Sequence, residues 1–200
     1  MTDLIPVFPR QAVPPLKVPL VGGGQFDIAA ERPRLFTMVV FYRGYHCAQC
    51  QIYLRDLEGR LGEFEKRGVT VVAISADEPG RAASTKTEWE IPNLRLGYGI
   101  SIPEARRWGL YVTEGRPKPG ISEPDLYTEP ALFLVHPDGT LFFSAVQTLP
   151  FARPRFEDVI AGFDFMFERG FTLVDDYPGR GEVISLASLA QPPKGADHTD

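Results

Sequence analysis

The chain has two cysteines, and they lie three residues apart in Cys47-Ala48-Gln49-Cys50. On the first turn of a helix, residues three apart share a face. Their Cα atoms are then roughly 5 to 6 Å apart, within disulfide range. A helix N-terminus also presents unpaired N–H groups and a partial positive charge, which favour thiolate over thiol. The flanking residues act in the same direction. From Arg32 to Arg55 there is no Asp or Glu, while Arg32, Arg34, Arg43 and Arg55 are basic. A thiol near Arg43 should ionise below its free value of about 8.5, which is what a reactive sulfur needs at neutral pH. The pair therefore reads as a redox couple.

Three other readings compete with it. A structural disulfide across so short a loop would remove only about 2 kcal/mol of unfolded-state entropy. A zinc site normally wants four ligands. The chain offers the two cysteines, the adjacent His46, and the remote His136 and His198. The fourth reading is a pair of inert buried thiols. The dipole and the arginines favour redox chemistry over all three. His46 and Arg43 are then candidate supporting residues, one able to tune the Cys47 sulfur and the other to stabilise its thiolate. Tyr42 and Tyr45 read as core or as walls of the site, and Asp77 as the cap of a following helix. Trp89, Trp108 and His136 read as packing residues.

The elements that must hold this pair follow from the apolar pattern. Leu35–Phe41 is a continuous, β-branched run, as in a strand buried on both faces. Leu54, Leu57, Leu61 and Phe64 recur three and four apart and predict a helix over 48–67, stopped by Gly68. Gly59 and Gly62 inside it predict a bend or a close packing contact. Val69–Ser75 is a second buried strand. A helix over about 79–90, a short strand at 94–96 and a helix over 103–108 follow. Pro137-Asp138-Gly139 turns a hairpin between 131–136 and 141–146. A final helix over 154–169 presents Phe156, Val159, Ile160, Phe163, Met166 and Phe167 on one face. The class is α/β, a central sheet covered on both faces. Gly and Pro cluster in an extended arm within 1–24, in an irregular run over 113–130 and in a tail over 173–200, leaving a domain over 25–172.

Charge and composition exclude other classes. Twelve bases against eleven acids in residues 1–100, and nine against fifteen in 101–200, leave no basic face for nucleic acid. The opening residues carry no basic-then-apolar run, and no stretch approaches 18 apolar residues, so no signal peptide or membrane span is expected. Two cysteines three residues apart do not make the disulfide framework of a secreted protein, and the expectation is a cytoplasmic one.

The stretch Val40-Phe41-Tyr42-Arg43-Gly44-Tyr45-His46-Cys47-Ala48-Gln49-Cys50 resembles the active-site segment of peroxiredoxin-like proteins of the AhpC/TSA group. The resemblance continues through Ser75-Ala76-Asp77, Trp89 and Ala131–Gly139, and covers roughly residues 15–170. It implies a thioredoxin-like fold, a central mixed β-sheet with helices on both faces. It also implies a thiol-dependent antioxidant oxidoreductase without organic cofactor or metal. The family's PxxxTxxC motif places its peroxidatic cysteine at Cys50, its threonine at Cys47 and its proline at Arg43, and the family's distant arginine falls at Pro130. One of four peroxide-activating groups is thus present. Pro130 instead resembles the cis-proline that faces the thioredoxin CxxC, and is a third supporting candidate. On thioredoxin logic Cys47 attacks and Cys50 resolves; on peroxiredoxin logic Cys50 attacks a hydroperoxide and Cys47 condenses with the sulfenic acid. Greater exposure at the helix start favours Cys47. The implied partners are a small peroxide or a protein disulfide and a reducing dithiol; the long 113–130 run, which leads into Pro130, is a candidate for the rim of the site or for the contact of a homodimer. Outside redox catalysis the alternatives are a copper-handling protein of the same fold and an inactive binding module whose exposed arms hold a partner.

Overall fold

The fold was described in a computed structural model, which places residues 6–117 and 119–170. Its centre is two hydrophobic runs laid side by side. Phe36–Phe41 (β3) and Val69–Ile74 (β4) pair in parallel, and every residue of β3 is buried. Strand alternation divides β3 between two cores. Phe36, Met38 and Val40 face one hydrophobic cluster, while Val39 and Phe41 face the other.

Each cluster is closed by helices. Ala48–Lys66 (α1) contributes Cys50, Leu54, Leu57 and Phe64 to the first, and Phe156–Glu168 (α4) contributes Phe156 and Phe163. Ile102–Arg107 (α3), started by a Ser101–Glu104 capping box and followed by Trp108, lies on the opposite side. Pro79–Glu88 (α2) follows β4 and leads to the buried Trp89. The sheet is completed by the short parallel strand Leu96–Gly97 and by the antiparallel hairpin Ala131–Val135 and Leu141–Val146. With Lys17–Pro19 and Gln25–Asp27 as β1 and β2, these three are β5, β8 and β9, and the order is β5-β4-β3-β8-β9. The expected α/β class and the mixed sheet with helices on both faces are found. Among the described residues no helix is long and apolar enough to cross a membrane.

Three expectations change. The arm is not merely extended, because β1 and β2 pair around Gly22-Gly23-Gly24 and bury Leu16 and Val18. Its backbone also covers the outer edge of β5, with the Val21 N–H donating to the Leu96 carbonyl at 2.9 Å. Val112–Glu114 (β6) and Leu126–Thr128 (β7) form an antiparallel ladder inside the run expected to be irregular. Finally, α1 passes uninterrupted through Gly59 and Gly62. A Cβ at either would meet nothing within 4 Å, so no packing contact accounts for them. The 173–200 tail lies outside the described residues.

Candidate functional site

The dithiol sits where β3 hands over to α1, at the end of the sheet where Phe41 pairs with Ala131. Cys47 is the N-cap of α1, and its sulfur accepts from the Cys50 N–H at 3.3 Å. This is the position at which a helix offers orphan donors to an anion. The two sulfurs lie 2.6 Å apart and both cysteines are free. Cys47 is 4% exposed and Cys50 fully enclosed, so the expected order of exposure holds but both are buried.

Two networks fix the loop that delivers them. In the first, Asp77 accepts from the Tyr45 N–H at 2.8 Å and pairs with Arg81 at 3.1 Å. Asp77 is therefore not the cap of α2; Glu78 holds that position, without a side-chain capping bond. Its buried carboxylate fastens the loop before the cysteines. In the second, Arg43 pairs with Glu129 (3.3 Å), donates to the Tyr127 hydroxyl and lies over that ring. Glu129 also accepts from the Thr113 hydroxyl at 2.6 Å. Arg43 is thus beside the site, but a carboxylate already offsets much of its charge. His46 is buried against the same Tyr127 ring, 4.7 Å between centroids.

Pro130 follows Glu129 directly and enters β8 at the sheet end nearest the cysteines. Among the described residues no peptide bond is cis, so the expected cis bond before Pro130 is corrected to trans. Glu129 is held here by its N–H to the Tyr111 carbonyl and by the Arg43 pair, and the Pro130 carbonyl accepts from the Gln147 N–H. The ordinary trans preference then goes unopposed. His136 lies at the far end of β8, packed on Phe36 and Phe142, and does not approach the sulfurs. Among the described residues no three potential ligands cluster as a metal site would require.

The residue sequence reasoning missed is Arg153. It lies in the segment between β9 and α4, and its Nη2 donates to the Cys50 sulfur at 3.1 Å, with the Cys47 sulfur at 4.0 Å. Its guanidinium rests over the Tyr53 ring, whose hydroxyl donates to the Pro154 carbonyl. Among the described residues no carboxylate pairs with it. In Leu149-Pro150-Phe151-Ala152-Arg153-Pro154-Arg155, a basic residue between prolines gives no local sign of a sulfur about a hundred residues earlier. Arg153 also lines an open groove of about 330 Å³ with Gln49, Ile52, Tyr53 and Phe151.

The electrostatic result is a divided pair. The hydrogen bond from Cys50, the Cys50 N–H and the two guanidinium groups together lower the Cys47 thiol to about 6, against the opposing effect of burial. Burial raises Cys50 well above the ordinary thiol range, and the neighbouring Cys47 adds to the rise. The surroundings thus drive the two sulfurs apart, Cys47 toward the thiolate and Cys50 toward the thiol.

A mixed, helix-covered sheet with such a pair at a helix start defines a thioredoxin-like redox protein. The chain matches the AhpC/TSA family over residues 9–144, and it belongs to that family. It is a thiol-dependent, peroxiredoxin-like oxidoreductase. Solved structures carry the same fold. Peroxidoxin BcpB from Mycobacterium tuberculosis aligns with a TM-score of 0.63 at 14% identity, covering 80% of this chain and 98% of that one. The reduced 2-Cys peroxiredoxin of Plasmodium vivax gives 0.65 at 17% identity, covering 82% and 86%. A thiol peroxidase from Chromobacterium violaceum gives 0.58 at 18% identity, covering 84% and 91%. No curated protein matches the chain.

Proposed function

We propose that Cys47 and Cys50 form a dithiol/disulfide couple in which Cys47 attacks and Cys50 resolves. The observation that supports this most is the acidity split across two sulfurs 2.6 Å apart. With a disulfide substrate, the Cys47 thiolate attacks one sulfur and expels the other as a thiolate. Cys50 loses its proton to solvent and attacks Cys47, releasing the second thiolate and closing the Cys47–Cys50 bond. The substrate gains two electrons and the pair loses them. With a hydroperoxide, Cys47 takes the distal oxygen as a sulfenic acid and the alcohol leaves. Cys50 then displaces water and closes the same bond. Cys50 is the poorer first nucleophile because it is enclosed and protonated. A reducing dithiol partner restores the pair, and we place the cycle in the cytoplasm, where thiols are kept reduced. A second copy fits the part of the β9 edge beyond Leu141, which the Arg10–Val13 backbone leaves uncovered and where Phe143 and, on α4, Phe165 are exposed.

The test is stopped-flow consumption of hydrogen peroxide and of a small aromatic disulfide by the wild type, Cys47→Ser and Cys50→Ser. Loss of both reactions in Cys47→Ser, with Cys50→Ser halting after one turnover, is expected. Fast peroxide loss that survives in Cys47→Ser and vanishes in Cys50→Ser overturns the assignment.

A further inference from the structure

We infer that Arg153 is a catalytic residue of the second half-reaction: it stabilises the Cys50 thiolate while that sulfur attacks the Cys47 mixed disulfide. The inference rests on the Cys47-first reading above and adds to it the residue that makes the buried sulfur usable. The problem it solves is specific. Cys50 is fully enclosed, and once Cys47 is tied to a substrate sulfur it is no longer an anion that a proton on Cys50 could bond. Cys50 must then ionise in a low-dielectric setting, where an unpaired charge is costly.

Three observations converge on Arg153. Its Nη2 is the nearest cationic donor to the Cys50 sulfur, at 3.1 Å, and is farther from Cys47, at 4.0 Å. No carboxylate holds it: Nε and Nη1 are buried without a hydrogen-bond partner among the described residues, and outside the sulfurs it rests on the face of Tyr53. Arg43, the other cation acting on the pair, is instead held by Glu129. A buried guanidinium without a carboxylate is unfavourable unless an anion forms beside it, so its placement suits a charge that develops during reaction. Backbone geometry adds the third observation. Ala152, the residue before it, has φ +61, a left-handed conformation that residues other than glycine rarely adopt. Strain of this kind persists where surrounding contacts hold a side chain in place, here the stacking on Tyr53 and the Tyr53 bond to Pro154.

In the step itself the Cys50 proton goes to solvent, the Cys50 sulfur bonds the Cys47 sulfur, and the bond between Cys47 and the substrate sulfur breaks. The substrate leaves as a thiolate. Arg153 gives up no atoms; its N–H to Cys50 shortens as the anion forms and slackens as the disulfide closes.

The aromatic disulfide DTNB separates the two steps, since one coloured thiolate leaves when Cys47 is modified and a second when Cys50 attacks. Stopped-flow traces of the reduced wild type, Arg153→Met and Arg153→Lys are compared across pH. In Arg153→Met the second release is expected to slow about tenfold or more, the scale of one lost charge-assisted hydrogen bond. Its pH profile should also move to higher pH, and the Cys47 mixed disulfide should accumulate in the mass spectrum. At pH values where Cys47 is ionised in both proteins the first release should change several-fold less, and Arg153→Lys should recover part of the second rate. A second release unchanged in rate and pH profile overturns the role of Arg153. A wild type that gives one release, or none, instead overturns the Cys47–Cys50 couple beneath it. Equal thermal midpoints for Arg153→Met and Arg153→Lys separate a charge effect from loss of the fold, and a purely structural residue would slow both releases alike.

Discussion

The carboxylate of Asp77 occupies the space that a side chain on Gly44 would need. A Cβ at Gly44 would lie 2.6 Å from Oδ1, and Gly44 has φ +122, which side-chain-bearing residues rarely adopt. The absence of a side chain therefore lets Asp77 reach the Tyr45 N–H and hold the loop two residues before Cys47. Gly44→Ala is expected to destabilise the reduced protein by about 1 to 3 kcal/mol in urea titration. The same variant should slow alkylation of Cys47, because the helix N-terminus loses its fixed position. Asp77→Asn, which keeps an acceptor for Tyr45 but loses the charge facing Arg81, should cost less than Asp77→Ala.

Cys47 should react as an acidic thiol. The rate of its alkylation by iodoacetamide is expected to rise with a midpoint near 6, and Cys47→Ser should abolish that phase. The sign for stability follows. A thiol depressed in the folded state stabilises it above the ordinary thiol pKa, and that stabilisation is lost as pH falls through about 6. Cys50 acts oppositely, since its raised pKa lets alkali favour the unfolded chain. Thermal midpoints of the reduced protein should therefore climb from pH 6 toward 8.5, and Cys47→Ser should flatten the climb. Both thiols titrating at 8.5 or above would contradict the acidity split.

How far these features were legible in the sequence depends on the range of the interaction. The pair Cys47/Cys50, its place at a helix start and the buried runs of β3 and β4 are local patterns, written in spacing and side-chain type. So was the hairpin of β8 and β9, through Pro137-Asp138-Gly139. The ladder of β6 and β7 was not, because its strands are three residues each and surrounded by Gly and Pro. Arg43 and His46 lie where their proximity to Cys47 placed them. What neutralises Arg43, and what touches Cys50, comes from Glu129 and Arg153, some eighty and a hundred residues later in the chain. A single sequence shows no such pairing. Asp77 was misread for the same reason: as a residue before a helix it looked like a cap, while its partner, the Tyr45 N–H, lies in another loop.

Glu129 provides a direct test of how strongly Arg43 is held in check. Glu129→Gln removes the carboxylate 3.3 Å from Arg43 while keeping an acceptor for Thr113. The freed guanidinium then acts on the Cys47 thiolate with less compensation. The iodoacetamide midpoint of Cys47 is expected to fall below its wild-type value, by a fraction of a pH unit. Stability should fall too, by about 1 to 3 kcal/mol, since the Arg43 side chain is 15% exposed and loses its ion partner. A rising midpoint would mean that Glu129 acts on Cys47 by some route other than Arg43.

The strained residue before Arg153 predicts the opposite sign from Gly44. Ala152 holds φ +61 with a side chain in place, so Ala152→Gly removes a steric cost at the same backbone geometry. Glycine also loosens the unfolded chain by about 0.4 to 1 kcal/mol, which offsets part of the gain. The net expectation is a neutral to mildly stabilising change of under about 1 kcal/mol in urea titration, with both DTNB releases near wild type. Ala152→Val, which is β-branched and poorly suited to that conformation, should destabilise the segment and pull Arg153 from the sulfur. Its second DTNB release should then slow as in Arg153→Met, although the guanidinium is still present. If Ala152→Val instead leaves that release at the wild-type rate, the conformation at 152 does not govern where Arg153 points.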